Sequence, residues 1–369
     1  MKLAFIIVTY HAERYIGPLL RTLRVNTDLS GCDVIVVDNA SGDGTLAVLR
    51  EAAAGWTAQT GGGQMHVLPQ AGNTGFAGGC NIGFAEARRR GAVYAMLLNQ
   101  DLELRPGWLP PLLAVMETRP EVAAAQPLVL LHQDGQDGQD GQQGPRADLV
   151  NTAGNAVHFC GFGFCNHYRE PAERVFPNGT EVRSVPYASG AALLLRLEAV
   201  ERAGGFDERL FLYHEDCDLQ IRLRQLGYEC VVVAASRVSH KYDASFASRK
   251  MRYLERNRWF VLLKDWPWPR LLVAAPALAG VEAAVLVLAA RSGWLGVKLG
   301  TYAEVARALP ALLRDRRAVQ ARRTPAANDG DHLTGAIQFE GFDHPIVTKI
   351  ANPLLSAYWT AARRVFGVR

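Results

Sequence analysis

The sequence predicts an α/β fold, a mostly parallel central sheet flanked by helices and followed by a helical C-terminal extension. Three observations carry this. Over the first 130 residues strand-like apolar runs alternate with helical patterns, which requires βαβ crossovers with right-handed connections. Two of those runs, Val34-Ile-Val-Val-Asp38 and Met96-Leu-Leu-Asn-Gln-Asp101, end abruptly in an aspartate. Each acid therefore falls at the carboxyl end of a strand buried on both faces. Beyond about residue 245 the character changes and helical, Ala- and Leu-rich patterns take over.

In chain order, strands are expected over residues 3–9, 33–38, 65–69, 93–98 and 122–129, and helices over 14–26, 43–54, 77–90 and 107–118. Ser41 or Asp43 can cap the second helix, and Pro106 or Gly107 opens a later one. The first eight residues have the flavour of a secretion signal. Their apolar run is only six residues, and Thr9-Tyr-His-Ala-Glu-Arg14 follows in place of a cleavage site, so they read as the first strand. Residues 131–147 contain a Gln-Asp-Gly repeat without apolar content, expected as a mobile surface loop rather than a calcium site. Residues 151–187 are Gly- and aromatic-rich and irregular, and regularity returns at Ala188-Ser-Gly-Ala-Ala-Leu-Leu-Leu195.

Residues 248–264 read as a helix that Trp266-Pro-Trp-Pro269 breaks, and 270–290 is apolar with Glu282 as its only acid. That length permits a membrane span. Pro276, Gly280, Glu282 and the many alanines favour a buried or interfacial helix instead. Arg314, Arg316, Arg317, Arg322 and Arg323 suit an anionic leaflet and equally suit a solvated helix face. The expected organisation is a catalytic domain over 1–245, a helical and membrane-associating region over 246–325, and a tail over 326–369. In that tail Phe339, Phe342, Ile346, Leu354, Leu355, Tyr358 and Trp359 could dock on the domain or meet a partner.

A chain of 369 residues has ample core for one large domain plus an appendage. A net charge of +4 is far from the dense basic coverage of a nucleic-acid binder, so no nucleic-acid partner is expected. The six cysteines include no Cys-x-x-Cys pair, which points to reduced thiols in a cytoplasmic protein.

Ligands of open parallel sheets bind outside the carboxyl ends of the strands. Asp38 and Asp101 at that edge suit a nucleotide and the metal that carries its phosphates. A third acidic segment follows within residues 204–227, where Leu219, Leu223 and Leu226 form a helical stripe and Gly227 ends it. Helix geometry puts Glu215 and Asp216 in the first turn facing the crevice, and turns Asp218 away to pair with Arg222. By themselves adjacent carboxylates at a helix start could equally be dipole complements.

Taken together, Val8-Thr-Tyr10, Val37-Asp-Asn-Ala-Ser-Gly-Asp-Gly-Thr45, Asn73-Thr-Gly-Phe-Ala-Gly-Gly-Cys-Asn-Ile-Gly83, Asn99-Gln-Asp101, Gly204-Gly-Phe-Asp207, Tyr213-His-Glu-Asp-Cys-Asp218 and Val238-Ser-His240 resemble family 2 glycosyltransferases of the GT-A fold. Within that family the likeness is to rhamnosyltransferase-like enzymes, and it spans about residues 3–245. One departure is Asn99, which replaces the first acid of the usual Asp-x-Asp and leaves metal binding mainly on Asp101.

The resemblance implies an inverting, metal-dependent transferase that uses a nucleoside-diphosphate sugar, with dTDP-rhamnose the leading donor and UDP-linked sugars next. Asp38 would accept N3–H of the pyrimidine, with Thr9 lining the base pocket. Asp101 and His240 would hold Mg²⁺ or Mn²⁺ on the phosphates. Asn73, Gly75 and Asn81 would shape the donor pocket, joined by Tyr10 and Gln100 from their motifs, and Ser189 and Gly190 would lie near the transferred sugar. Asp216 would be the base, with Glu215 the fallback, and Arg256 or Arg258 would help the leaving diphosphate. The acceptor would be a lipid-linked or growing cell-surface saccharide, met by residues 151–187 and the C-terminal region. The protein would be cytoplasmic, or peripheral at the inner, anionic face of the membrane.

Other classes fit less well. A dinucleotide-dependent oxidoreductase would want a glycine-rich turn after strand one, and Thr9-Tyr-His-Ala-Glu13 has no glycine. A sugar-phosphate nucleotidyltransferase would want a glycine-rich basic loop at the same place. Glu255-Arg-Asn-Arg-Trp259 resembles the Gln-x-x-Arg-Trp signature of processive synthases, but Arg256 breaks the match and no bundle of spans follows. A non-catalytic sugar-nucleotide scaffold would have no use for Asp38, Asp101, Asp216 and His240 together.

Overall fold

The computed structural model describes residues 2–132, 147–241, 248–338 and 344–367. The expected loop over 131–147 lies mostly outside the described residues, as do Phe339 and Phe342. The N-terminal half alternates as expected: β1 (Leu3–Thr9), α1 (Ile16–Asn26), β2 (Asp33–Asp38), α2 (Thr45–Ala54), α3 (Trp56–Gln59), β3 (Gln64–Pro69), α4 (Gly75–Arg89), β4 (Tyr94–Asn99), β5 (Leu102–Leu104), α5 (Leu109–Thr118) and β6 (Val122–Leu131). Strands β3, β2, β1 and β4 lie side by side in parallel. Even-numbered Ala4 and Ile6 of β1 pack on α4, while Leu3, Phe5 and Ile7 pack on the α1 side. Both faces are thus covered, which is why the strands read as unbroken apolar runs.

Short elements then follow: β7 (Val150–Thr152), β8 (Asn155–His158), β9 (Gly163–Cys165), α6 (Ala172–Val175) and β10 (Val182–Ser184). Regular structure resumes with β11 (Ala192–Arg196), α7 (Leu197–Ala203), α8 (Glu215–Gln225) and β12 (Glu229–His240). Strand β11 inserts antiparallel between β4 and β6, so the main sheet runs β10-β12-β6-β11-β4-β1-β2-β3. Close packing sets the site's depth. In α4 a Cβ on Gly83 would lie 2.4 Å from Ile6 Cγ2, so only glycine lets this helix lie down on β1.

The C-terminal part is helical: α9 (Ser248–Asp265), α10 (Trp268–Arg291) and α11 (Leu295–Ala321), then β13 (Leu333–Thr334) and α12 (Asn352–Phe366). The tail packs back on the rest. Strand β13 pairs with β8, and the Trp359 ring stacks on Phe159 with centroids 4.7 Å apart. Among the described residues α10 is the one helix long and apolar enough to cross a membrane. It lies on the domain by one side only, leaving Trp268, Leu272, Val287 and Leu288 exposed. The arginine cluster does not form one basic face. Arg316 is buried over the Trp268 ring and donates to Leu263 O, and Arg323 pairs with the buried Asp329.

Candidate active site

The carboxyl ends of β1, β2 and β4 meet along one edge. Thr9 and Asp38 face each other in the β1–β2 register. Asp38 Oδ1 accepts the hydroxyls of Thr9 at 2.9 Å and Ser41 at 2.6 Å, and Oδ2 accepts the Ser41 N–H at 3.1 Å. Two oxygens with two lone-pair directions each leave Oδ2 able to accept one more N–H. Tyr10 is 45% exposed beside this pair. Gln100 accepts the Tyr10 N–H at 2.9 Å and donates to its carbonyl at 3.3 Å. That amide is occupied with tying the ends of β1 and β4 together, so Gln100 positions Tyr10 rather than reaching outward.

Asp101 and His240 come together through β5. This strand folds back antiparallel on the end of β12 with Leu102 opposite His240, which sets His240 Nε2 3.2 Å from Asp101 Oδ1. His240 Nδ1 lies 2.9 Å from Asn151 Oδ1. Asn151 thus orients the ring, and Nε2 faces the Asp101 carboxylate. Metal-ligating histidines are commonly held this way, with the other ring nitrogen fixed by a neighbouring polar group. The donor set therefore fits a small divalent ion. Among the described residues no cluster of three His, Cys, Asp or Glu forms, so water and substrate oxygens would complete its shell.

The acids of α8 sit across from this pair. Asp216 Oδ2 accepts the Gly190 N–H at 2.9 Å and Oδ1 accepts the Cys217 N–H at 2.8 Å. The Ser189–Gly190 turn is itself pinned twice, by Gln126 Oε1 accepting the Ser189 N–H at 2.6 Å and by Gln220 bonding both polar atoms of the Ala188 backbone. Asn99 N–H donates to Ala191 O at 2.8 Å, which fixes that turn against the end of β4. Burial raises the Asp216 carboxyl above its ordinary range, opposed by the two N–H donors. Burial and the Asp216 and Asp218 carboxylates push Glu215 up much further, and its Oε2 has no partner. Asp218 differs. Although burial works against it, Arg222 and Lys264 hold it low; its Oδ2 accepts from Arg222 Nε at 3.1 Å.

A cleft of about 270 Å³ opens here, lined among others by Asn99, Glu215, Asp216 and His240 and by Phe162, Phe164 and Tyr187. The three aromatics come from the stretch that reads as irregular in sequence, and its aromatic content was the signal for them. Asn151, Gln126 and Gln220 carried none, because each works through a backbone or side-chain partner remote in sequence.

Several expected donor residues are engaged elsewhere. Arg258 is fully buried between Glu255 (2.9 Å) and Glu282, and Arg256 spends its guanidinium on the carbonyls of Arg209 and Leu210 and on Glu304. Neither charge is free for a leaving diphosphate. Asn81 bonds both backbone atoms of Phe206 at 3.0 Å, so it ties α4 to the turn after α7 instead of shaping a pocket. Asn73 accepts the Gly75 N–H at 2.8 Å and so shapes the entry to α4. Gly75 has φ +76°, and a Cβ there would lie 2.5 Å from Phe211 O, so this turn and the approach to the Phe211 segment both require glycine.

Known proteins resemble this chain in sequence and fold. A glycosyl transferase family 2 model matches residues 4–176, and a glycosyl transferase family group 2 model matches residues 160–312. An N-acetylglucosaminyl-diphospho-decaprenol L-rhamnosyltransferase of Mycobacterium tuberculosis is 29% identical over 251 residues, 64% of this chain and 75% of that protein. The O-antigen biosynthesis protein RfbC of Myxococcus xanthus is 29% identical over 186 residues, 49% of this chain and 13% of that protein. Among solved structures, GalNAc-T7 with UDP, GalNAc and Mn²⁺ matches with a TM-score of 0.55 at 16% identity, over 76% of this chain and 51% of that one. The chain thus spans about half of that structure, and the likeness is one of fold, the GT-A arrangement. The family 2 and family group 2 models together span residues 4–312, and with the mycobacterial relative they identify the chain as a family 2, rhamnosyltransferase-like glycosyltransferase.

Proposed function

We propose that this enzyme transfers one sugar, rhamnose, from a dTDP- or UDP-linked donor to a saccharide carried on a lipid or a growing cell-surface chain, inverting the anomeric carbon. The observation that carries the reading is Asp216, fixed by the Gly190 N–H in a cleft it shares with His240 and three aromatic side chains. An acceptor hydroxyl in that cleft has a pKa far above 7, so a placed carboxylate must take its proton as the new bond forms. A raised Asp216 is a stronger base than an ordinary carboxylate, and its fixed orientation supplies the alignment a single displacement needs. Glu215, whose carboxyl burial and neighbouring carboxylates raise well above its ordinary range, is suited to hydrogen-bond a sugar hydroxyl. Asp38 and Thr9 would take the base of the nucleotide. Asp101 and His240 would hold a divalent ion, Mg²⁺ or Mn²⁺, which when bound neutralises charge on the departing diphosphate. Phe162, Phe164 and Tyr187 offer ring faces to an acceptor sugar. The rhamnosyl part and the lipid-linked acceptor are supported by the name of the mycobacterial relative. The exposed apolar side of α10 supports work at the inner, anionic face of a membrane.

Calorimetry with dTDP, UDP, GDP and NAD, with and without Mn²⁺, followed by turnover with dTDP-rhamnose, tests this. Asp101→Ala should weaken metal-dependent pyrimidine-nucleotide binding at least tenfold. Asp216→Asn should bind as the wild type does and lose about 10²–10⁴ in turnover. An absence of pyrimidine-nucleotide binding in every metal condition would refute the transferase reading.

A further inference from the structure

We infer that Asn257, assisted by Arg256, is a positioning residue for the transfer: it braces the strained turn that aims Asp216, without touching either substrate. This rests on the reading of Asp216 as the base.

The segment Leu210–His214 leads directly into α8. Phe211 has φ +63° and ψ −60°, and the Leu212 N–H donates to Leu210 O at 2.7 Å, so the chain reverses in a γ-turn of the rare, positive-φ kind. Tyr213 and His214 follow with φ of +68° and +67°. Three non-glycine residues in this region within four positions persist only where the surroundings hold them. The carbonyls of Leu210, Leu212 and Tyr213 in this segment lie outside any helix or strand ladder and need donors.

Asn257 supplies those donors. It is fully buried on α9, and its Nδ2 lies 2.8 Å from Leu210 O, 2.9 Å from Leu212 O and 2.7 Å from Tyr213 O. Its Oδ1 accepts from Arg256 Nε at 2.9 Å, and Arg256 Nη2 donates to Arg209 O at 2.8 Å and Leu210 O at 3.1 Å. One turn earlier on α9, Tyr253 stacks on the Phe211 ring with centroids 5.5 Å apart. On the opposite side Phe211 O accepts the Ala77 N–H of α4 at 3.3 Å, beside the Gly75 turn. The turn is therefore clamped between α9 and the helix that follows Asn73-Thr-Gly75. Glu215 and Asp216 come next in the chain, so a shift of the turn rotates the start of α8 and moves Asp216 off the Gly190 N–H. The amide suits the task because it brings two N–H donors to crowded carbonyls. A carboxylate of the same shape would present only acceptors to acceptors.

The test uses the full chain as Asn257→Ala and Arg256→Lys, each measured for turnover, donor-nucleotide affinity and amide hydrogen exchange. For Asn257→Ala we expect turnover about 10²-fold lower, the loss typical of a misplaced group, with donor affinity and KM within about threefold of the wild type. Exchange should speed up over residues 209–216 and nowhere else. Arg256→Lys should lose about tenfold in turnover with the same split. Unchanged turnover in either folded variant, or turnover and donor affinity falling together, would overturn the brace. If Asn257→Ala does not fold, Arg256→Lys decides. If the wild type turns over no donor, the transferase reading fails by itself, and exchange at 209–216 still decides whether Asn257 holds the turn.

Discussion

Glu215 and Asp216 are adjacent acids with opposite surroundings. Both oxygens of Asp216 accept backbone N–H groups, whereas Glu215 keeps one oxygen unbonded among other carboxylates. The raised Glu215 carboxyl binds its proton more tightly in the folded than in the unfolded protein. Its contribution to stability is therefore fully present below the unfolded value and is lost as pH rises through the range above it. Replacing it should remove that loss. Glu215→Gln should match the wild type in urea titrations below about pH 4 and exceed it by about 1–3 kcal/mol near pH 8. A gain independent of pH, or a net destabilisation at pH 8, would show that the carboxyl is not kept neutral. At this scale the sequence was informative wherever geometry is local. The i,i+4 pairing of Asp218 with Arg222 follows from helix spacing alone, and the structure contains it. The partners of Arg256 and Arg258 were not legible, because an arginine's free charge depends on acids that only tertiary packing brings near.

Glu282 makes the same point for an element. In sequence it is a lone acid that weakens an apolar helix. In the fold α10 turns it inward, where Arg258, Lys298 at 2.8 Å and the Tyr302 hydroxyl meet it, with Glu255 completing two carboxylates against two cations. Helices α9, α10 and α11 are thereby joined through a buried polar centre as well as through apolar packing. Lys298 is fully buried there. Lys298→Met would leave two carboxylates to share one arginine, at a cost of about 3–5 kcal/mol by chemical denaturation. A loss under about 1 kcal/mol would mean that the centre relaxes or takes up a proton. The long strands were legible because each is an apolar run ended by a polar turn. Strands of two or three residues such as β7, β9 and β13 carry no period to read, and the insertion of β11 between β4 and β6 is a tertiary choice.

At the scale of the molecule, α10 and α12 lie against each other and expose apolar side chains together, including Leu272, Val287, Leu354 and Phe366. Arg291, Lys349 and Arg364 stand exposed near the ends of these helices. An apolar face with a basic rim suits the interface of an anionic bilayer. The wild type should sediment with vesicles containing phosphatidylglycerol. Leu272→Glu combined with Leu354→Glu should weaken that binding more than tenfold, since each leucine is worth about 1.5–3 kcal/mol when buried, and should leave nucleotide affinity unchanged. Equal sedimentation of the double variant would remove this face as the contact.

The pairing of Leu102 with His240 also orders events during synthesis. The ribosome delivers Asp101 long before the strand that carries its imidazole partner, and the two meet only when the sheet's last long strand is laid beside β5. A chain ended before residue 215 would hold the sequence of β1–β4 and the Asp38 corner, yet it would have neither the Asp101–His240 pair nor α8. On the roles proposed for these residues, such a fragment would compete for nucleotide without spending an activated sugar, and the complete sheet would be a condition for chemistry.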